Sequence, residues 1–174
     1  MMKSHALFLT GALCASMSWG TAALAAPTSI GTFSAWSAYV ATDANGKTCF
    51  AASEPQASDY SQPSKGRGGT FFMITTVPSK GIENQVSTIV GFPFKGGSEV
   101  SATVDGRKYP MFFNDAKGET AWSVPDSEPA FIAAMKKGAK MTINSTSRRG
   151  TTVTDHYSLS GVTAVLNAVA KACT

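Results

Sequence analysis

Residues 99–113 read Glu99-Val100-Ser101-Ala102-Thr103-Val104-Asp105-Gly106-Arg107-Lys108-Tyr109-Pro110-Met111-Phe112-Phe113. In the first half of this stretch apolar side chains alternate with polar ones, which is the pattern of a strand with one buried face. The Asp-Gly pair in the middle tolerates the positive φ angles of a tight hairpin turn. The stretch therefore predicts an antiparallel hairpin with strands at 99–104 and 107–113.

The same alternation extends through most of the chain. It is clearest at 85–94, where bulky side chains at the even positions would line one face of a strand. Further strand patterns lie at 32–40, 47–52, 70–77, 119–124, 140–147 and 151–159. The last two flank Arg148-Arg149-Gly150, which predicts a second hairpin. About nine short strands joined by turns favour an antiparallel β-sandwich or barrel.

Two helices are predicted in the second half of the chain. The first has Asp126 or Ser127 as its N-cap and ends at Gly138. The second begins near Ser160 and carries apolar residues at spacings of three and four up to Cys173. Cys173 is therefore expected on the helix stripe that faces the core.

Residues 1–25 have the three parts of a secretory signal peptide. Lys3 supplies a basic start, residues 6–15 are mostly apolar, and Ala23-Leu24-Ala25 forms a small-residue cleavage site. An uncleaved membrane anchor is disfavoured because polar residues interrupt the apolar run. Lipidation at Cys14 is disfavoured because Leu13 stands where such sites need a small residue.

We expect cleavage after Ala25, leaving residues 26–174 as a single β-sandwich domain without a transmembrane segment. Its location is then the periplasm, or it is secreted or held in the outer envelope. The formal net charge of the whole chain is only +4, and the basic residues form short clusters. Proteins that bind nucleic acid concentrate Lys and Arg on one surface, so no nucleic-acid partner is expected.

Loss of the signal leaves two cysteines, Cys49 and Cys173, in an oxidising compartment. The simplest interpretation is one disulfide, which would stabilise the fold by about 4 to 5 kcal/mol in the chain-entropy model. A redox-active thiol is disfavoured because there is no Cys-x-x-Cys spacing. A bridge to a partner protein or a second subunit is the other alternative.

Candidates for catalysis are few. His156 is the one histidine of the mature chain, and its neighbour Asp155 would point to the opposite face of a strand. The other acidic residues are scattered singly, so a catalytic carboxylate pair would have to be assembled by the fold. We predict no enzymatic activity, no catalytic residue, no cofactor and no metal. The alternative is an envelope hydrolase that uses such fold-assembled carboxylates.

The segment 64–69 reads Ser-Lys-Gly-Arg-Gly-Gly and precedes an aromatic strand. Its backbone N–H groups and the cations Lys65 and Arg67 could bind an anion, although the segment lacks the spacing of a phosphate loop. A flexible entry to a hairpin is the other interpretation. At strand spacing aromatic side chains usually belong to the core. The aromatic residues that could instead line a ligand cleft are Trp36, Trp122, Tyr39, Tyr60, Phe71, Phe72, Phe92 and Phe94.

Short motifs follow one another along the chain in an order typical of a known family. After the signal come Trp36, Cys49-Phe50-Ala51-Ala52-Ser53-Glu54-Pro55, Arg67-Gly68, Gly91-Phe92-Pro93-Phe94, Val104-Asp105-Gly106, Ala121-Trp122, Met135-Lys136-Lys137-Gly138, Ser147-Arg148-Arg149-Gly150-Thr151, Tyr157-Ser158-Leu159-Ser160-Gly161 and a terminal helix with a cysteine at its end. This order resembles the invasion-associated locus B family of exported alphaproteobacterial proteins over nearly the whole mature chain. The resemblance implies an immunoglobulin-like β-sandwich in the periplasm or outer envelope, no catalytic residue or cofactor, and a role in host-cell invasion in pathogenic members.

These features predict an exported, non-enzymatic cell-envelope protein that binds a protein partner in the envelope or on a host, in host invasion or envelope maintenance. A purely structural or stress-related envelope role is the other non-enzymatic interpretation. Loops at the ends of a sandwich often carry contacts, so the possible partner-binding residues are Lys65, Arg67, Arg148 and Arg149. Charge reversal at the three arginines is expected to weaken binding and to leave the melting temperature unchanged.

Overall fold

The computed structural model describes residues 26–44, 46–63, 66–114 and 118–174. The strands are β1 Thr28–Phe33, β2 Trp36–Asp43, β3 Gly46–Ser53, β4 Ala57–Tyr60, β5 Phe71–Val77, β6 Ile82–Ile89, β7 Val100–Val104, β8 Arg107–Phe113, β9 Thr120–Ser123, β10 Lys140–Thr146 and β11 Thr152–Ser158. The helices are α1 Glu128–Lys137 and α2 Val162–Ala172. The predicted signal peptide, residues 1–25, lies outside the described residues. Across the described ranges, no helix has the length and apolar character needed to cross a membrane.

The eleven strands are hydrogen-bonded in one continuous antiparallel order, β1-β2-β3-β5-β6-β9-β8-β7-β10-β11-β4. Although β2 and β11 stand near opposite ends of this order, the indole Nε1 of Trp36 donates to the carbonyl of Ser158 at 3.0 Å. The sheet therefore folds back on itself into two layers that enclose the core. The predicted mainly-β antiparallel fold with one short helix and a C-terminal helix is confirmed, and the two layers agree with the implied sandwich.

Aromatic side chains fill the space between the two layers. The ring of Phe72 on β5 lies about 6 Å from those of Trp36 on β2, Phe131 on α1 and Tyr157 on β11. Tyr109 on β8 stacks on Phe131 with the ring centroids 4.5 Å apart. All five side chains are buried, so both layers and α1 contribute to one core.

Both predicted hairpins are present. In the first, β7 and β8 pair up to Val104 and Arg107, and Asp105 and Gly106 take the positive φ angles 44° and 88° that such a turn requires. In the second, β10 and β11 are joined by a turn in which the N–H of Gly150 donates to a carbonyl three residues earlier at 2.7 Å. Local turn chemistry was sufficient to place both.

Two strand predictions differ from the structure in their bounds. The segment 32–40 is divided between β1 and β2, because Ser34 adopts a positive φ of 55° and turns the chain. The segment 85–94 keeps its ladder only as far as Ile89, since Gly91 adopts a φ of 72°. A Cβ at Gly91 would lie 2.5 Å from the carbonyl oxygen of Gly68, so the close crossing of these two segments requires glycine.

The sequence patterns did not indicate strand β4. It has four residues, most of them exposed, and it lies at one edge of the sheet, where β11 is its only strand neighbour among the described residues. A strand this short and polar carries no clear alternation. Its place at the edge becomes important for the site described below.

Helix α2 is fixed to the sheet by apolar packing and by a covalent bond. It buries Val165 and Val169, and Cys173 just after its last turn is only 8 % exposed, so the predicted core-facing position is confirmed. Cys173 forms a disulfide with Cys49 on β3, with the Cα atoms 5.9 Å apart. Lys47 on the same strand donates from Nζ to the carbonyl of Ala172 at 2.8 Å.

Candidate partner-binding pocket

A pocket of about 350 Å³ opens at the end of the sandwich where β4 and β11 lie. Its walls come from the end of β4, the segment 66–67, the segment 91–93 and the turn at 147–151. The described part of the first loop that the sequence singled out, 66–69, therefore meets the second loop, 148–150, at one place. Arg67, Arg148 and Arg149 all line the pocket, whereas Lys65 lies outside the described residues.

Backbone hydrogen bonds explain why these loops meet. The chain beyond β6 runs between them: the N–H of Gly68 donates to the carbonyl of Gly91 at 2.9 Å, and the N–H of Arg148 donates to the carbonyl of Pro93 at 2.8 Å. Lys95 adds a third bond of this kind, to the carbonyl of Thr146 on β10. The segment between β6 and β7 thus bridges both loops and fixes the outline of the pocket.

Arg67 at the floor of the pocket forms an ion pair with Asp155. Its Nη2 lies 2.5 Å from Oδ1 and its Nη1 lies 2.9 Å from Oδ2, so the guanidinium and the carboxylate meet side by side. The hydroxyl of Ser58 donates to Asp155 at 2.6 Å and accepts from Arg67 at 2.7 Å. The Asp155 side chain is fully buried, and that of Arg67 is only 11 % exposed.

This ion pair changes what the sequence suggested for Arg67. Burial by itself lowers the pKa of the guanidinium, but the hydrogen bonds and charge attraction from Asp155 outweigh it, so the pKa lies above its usual value. The positive charge of Arg67 is therefore neutralised within the fold. We no longer expect charge reversal at Arg67 to leave the melting temperature unchanged, because reversal would place two acids together in a buried position.

Tyr157 lies behind Asp155 on the inward face of β11. Burial first, and then the negative charge of Asp155, raise its pKa above the ordinary tyrosine value. The nearby Thr88 acts in the opposite direction, but its hydroxyl donates to the carbonyl of Phe71. Within the described ranges the Tyr157 hydroxyl makes no hydrogen bond of standard geometry.

Aromatic and proline side chains form the walls above the ion pair. The guanidinium carbon of Arg67 lies 5.6 Å from the centre of the Tyr60 ring, within the range of a cation–π contact. Tyr60 is partly exposed and, together with Phe92, Pro63 and Pro93, gives the pocket flat apolar surfaces. Here Tyr60 and Phe92 line a pocket, whereas Trp36 and Phe72 belong to the core.

Arg148 and Arg149 at the rim differ from Arg67. Both are exposed, and neither side chain makes an ion pair within the part of the chain that the structure describes. None of the described residues that line the pocket is acidic. Among the described residues, the pocket therefore carries a neutralised cation at its floor and two unpaired cations at its rim.

The acidic and histidine side chains of β11 lie on opposite faces of the strand. Asp155 is buried while the side chain of His156 is 42 % exposed, which confirms that the two point to opposite faces of their strand. His156 places its Nε2 2.7 Å from Oδ2 of Asp59 on β4. The buried carboxylate of Asp155 is paired with an arginine rather than with a second carboxylate. Across the described ranges, no group of three or more His, Cys, Asp or Glu residues could hold a metal ion.

Comparison with known proteins identifies the family of this chain. The sequence model described as Invasion associated locus B (IalB) protein matches residues 36–170. The chain belongs to the IalB family. The IalB match begins at the start of β2 and ends within α2, so it includes every segment that builds the pocket and the Arg67–Asp155 ion pair.

A solved IalB-type structure has the same fold. The crystal structure of invasion associated protein b from Bartonella henselae aligns with a TM-score of 0.58 and 16 % sequence identity, over 83 % of this chain and 97 % of that one. At this identity the likeness concerns the fold alone. Among curated proteins, none matches the sequence. The IalB family membership that the motif order suggested is thus confirmed.

Sequence reasoning missed two residues that shape the pocket, Ser58 and Asp155. For Asp155 a signal was present, since the period of two places it on the same face as Val153 and Tyr157, which are both buried. An acid on an otherwise apolar strand face needs a buried partner. The sequence does not show that this partner is Arg67.

Proposed function

We propose that this IalB-family chain is exported and works in the cell envelope by binding a protein partner, in host invasion or in envelope maintenance. Residues 1–25 support export because they have the basic, apolar and small-residue parts of a secretory signal. The disulfide between Cys49 and Cys173 also supports it, because such bonds persist in oxidising compartments. Residues 26–174 would then act as one domain in the periplasm, or secreted or in the outer envelope.

The binding role rests on one observation above all: two loops far apart in sequence form a single pocket with free cations at its rim. Arg148 and Arg149 are exposed and unpaired within the described ranges, and Tyr60 offers a partly exposed aromatic surface beside them. Arginine and tyrosine are the residue types that most often dominate protein–protein contacts. The buried carboxylate of Asp155 is paired with Arg67 rather than with a second carboxylate, which supports a binding role over a hydrolytic one.

A crosslinking experiment in intact cells tests this proposal. A photoreactive amino acid would replace Gln62, an exposed residue that lines the pocket, and in a control variant it would replace the exposed Lys136 on α1. We expect a discrete protein adduct from position 62 that is lost when Arg148 and Arg149 are changed to glutamate. The same adducts from both positions, or an adduct that survives the charge reversal, would contradict the proposal.

Export and biological role need separate measurements. Mass analysis of fractionated cells should find a chain that begins at Ala26 outside the cytoplasm, and an intact chain confined to the cytoplasm would refute export. Deletion of the gene, scored in parallel for host entry and for envelope-stress sensitivity, separates the two roles. Loss of host entry alone supports invasion, and stress sensitivity alone supports envelope maintenance.

A further inference from the structure

The charges of the pocket restrict what can enter it. Arg67 is neutralised by Asp155, whereas Arg148 and Arg149 have no acidic partner within the described ranges and no acidic side chain lines the pocket. A ligand that lacks negative charge would bury part of these guanidinium groups without compensation. Arginine binds carboxylates through paired hydrogen bonds, so an acidic ligand matches the rim.

The aromatic and proline side chains of the pocket walls favour a ligand that has an apolar group in addition to its negative charge. Tyr60 and Phe92 give the pocket aromatic surfaces, and Pro63 and Pro93 extend them. A small inorganic anion at the rim would leave these surfaces in contact with water. A ligand that also places an apolar side chain against them would remove that area from water and gain affinity. The volume of about 350 Å³ is near the lower end for ligand pockets, so it fits a few side chains.

The edge strand β4 beside the pocket favours a peptide as the ligand that brings both the carboxylates and the apolar side chain. Tyr60 is the last residue of β4, and β4 is the final strand of the sheet, with β11 on one side and no strand from the described residues on the other. An extended peptide can add to such an edge through main-chain hydrogen bonds, while its side chains enter adjacent pockets. An acidic glycan could reach the arginines but could not extend the sheet.

From this arrangement we infer that the pocket binds an extended acidic peptide, which lies along β4, places its carboxylates on Arg148 and Arg149, and places an apolar side chain against Tyr60 and Phe92. The inference rests on the proposed binding function and names the chemistry of the partner. It assigns different tasks to the three arginines: Arg67 supports the floor, and the other two contact the ligand.

Peptide selection with the purified, disulfide-bonded protein tests this inference. A display library of random eight-residue peptides would be selected on the wild-type protein and on the R148Q/R149Q variant. We expect the wild-type selection to enrich peptides with Asp or Glu close to an aromatic residue. In fluorescence anisotropy, R148Q/R149Q should weaken binding of the enriched peptides about tenfold or more. An unchanged melting temperature will show that this variant is folded.

Two controls make the result specific. The K136Q/K137Q variant also removes two positive charges, but from exposed positions on α1, and should change the affinity for the enriched peptides less than about twofold. Peptides methylated at alternate backbone nitrogens should bind more weakly if the main chain pairs with β4. Enriched peptides without acidic residues, or binding that R148Q/R149Q leaves unchanged, would overturn the inference.

A third probe separates peptides from anionic glycans. If a sulfated oligosaccharide binds in a manner that depends on Arg148 and Arg149 while no peptide is enriched, the peptide assignment is wrong. Failure here is distinguishable from failure of the proposed function. A protein adduct at position 62 that depends on the arginines keeps the binding function, even when no acidic peptide binds.

Discussion

Replacement of Arg67 by methionine removes the guanidinium that contacts the buried Asp155 and keeps most of the side-chain length. In the native fold Asp155 is fully buried and receives hydrogen bonds from both Nη atoms of Arg67 and from the hydroxyl of Ser58. In the variant, the Ser58 hydroxyl remains as its side-chain donor. A buried carboxylate would therefore lose its counter-ion.

The magnitude follows from the burial of the pair. Removal of one partner from a buried ion pair costs about 3 to 5 kcal/mol of folding free energy. Arg67 is 11 % exposed at the floor of a pocket, so water can partly replace it, and we expect a loss near the lower end, about 3 kcal/mol. For a chain of this size, that loss lowers the melting temperature by roughly 6 to 12 °C.

Urea unfolding of the disulfide-bonded protein measures this loss. A matched control is Lys108→Met, which breaks an exposed ion pair with Glu99 whose N–O distance is 2.6 Å and whose side chains are both more than half exposed. This control should cost less than about 1 kcal/mol. The double variant R67M/D155N should recover at least about 1 kcal/mol relative to R67M, because the buried charge is gone. If R67M costs no more than K108M, or if D155N gives no recovery, the ion pair does not stabilise the fold as described.

Three further outcomes follow from the described contacts. Serine at both Cys49 and Cys173 should lower the free energy of unfolding by about 4 to 5 kcal/mol, because the bond closes a loop with a sequence separation of 124; a loss below about 1 kcal/mol in urea unfolding would contradict this. The pKa of Tyr157 is raised in the folded state, so the unfolded chain loses the phenolic proton first; the stability contribution is full below about pH 10 and falls above it. Urea midpoints from about pH 8 to about pH 11 should therefore fall more steeply for the native protein than for Tyr157→Phe, and parallel curves would refute the assignment. Gly161→Ala should prevent folding or cost several kcal/mol more than Gly81→Ala, measured by thermal melting. Both glycines have a positive φ, but only at Gly161 would the new Cβ collide with backbone, 1.9 Å from the carbonyl oxygen of Phe33. Equal costs would show that Gly161 and Phe33 do not pack this closely.

The candidate site was predictable in part. The arginines at 67, 148 and 149 were identified from loop position, and the structure does place their loops together. The sequence did not predict that Arg67 is paired while Arg148 and Arg149 are exposed. This difference depends on Asp155, which lies 88 residues from Arg67 in the chain. Tyr60 and Phe92 carry the same aromatic signal as core residues, and only their position at the open end of the sandwich makes them pocket walls.

The sequence by itself determined the local elements of this protein. Alternation with a period of two placed most strands, the Asp105-Gly106 pair placed the central hairpin, and helical spacing turned Cys173 toward the core. These signals are local because each depends on side chains and backbone angles within one element or one turn. Motif order along the chain also indicated the family.

Only the tertiary structure decided which distant elements meet. The sheet order, the edge position of β4, and the bridge that the segment after β6 makes between two loops all depend on packing across the whole chain. The pairing of Arg67 with Asp155 is of the same kind, because a buried charge is stabilised by whichever opposite charge the fold brings to it. The pocket therefore forms only when the whole sandwich is assembled. The structure was needed to show that Arg67 is paired with Asp155, which leaves Arg148 and Arg149 as the arginines available to a ligand.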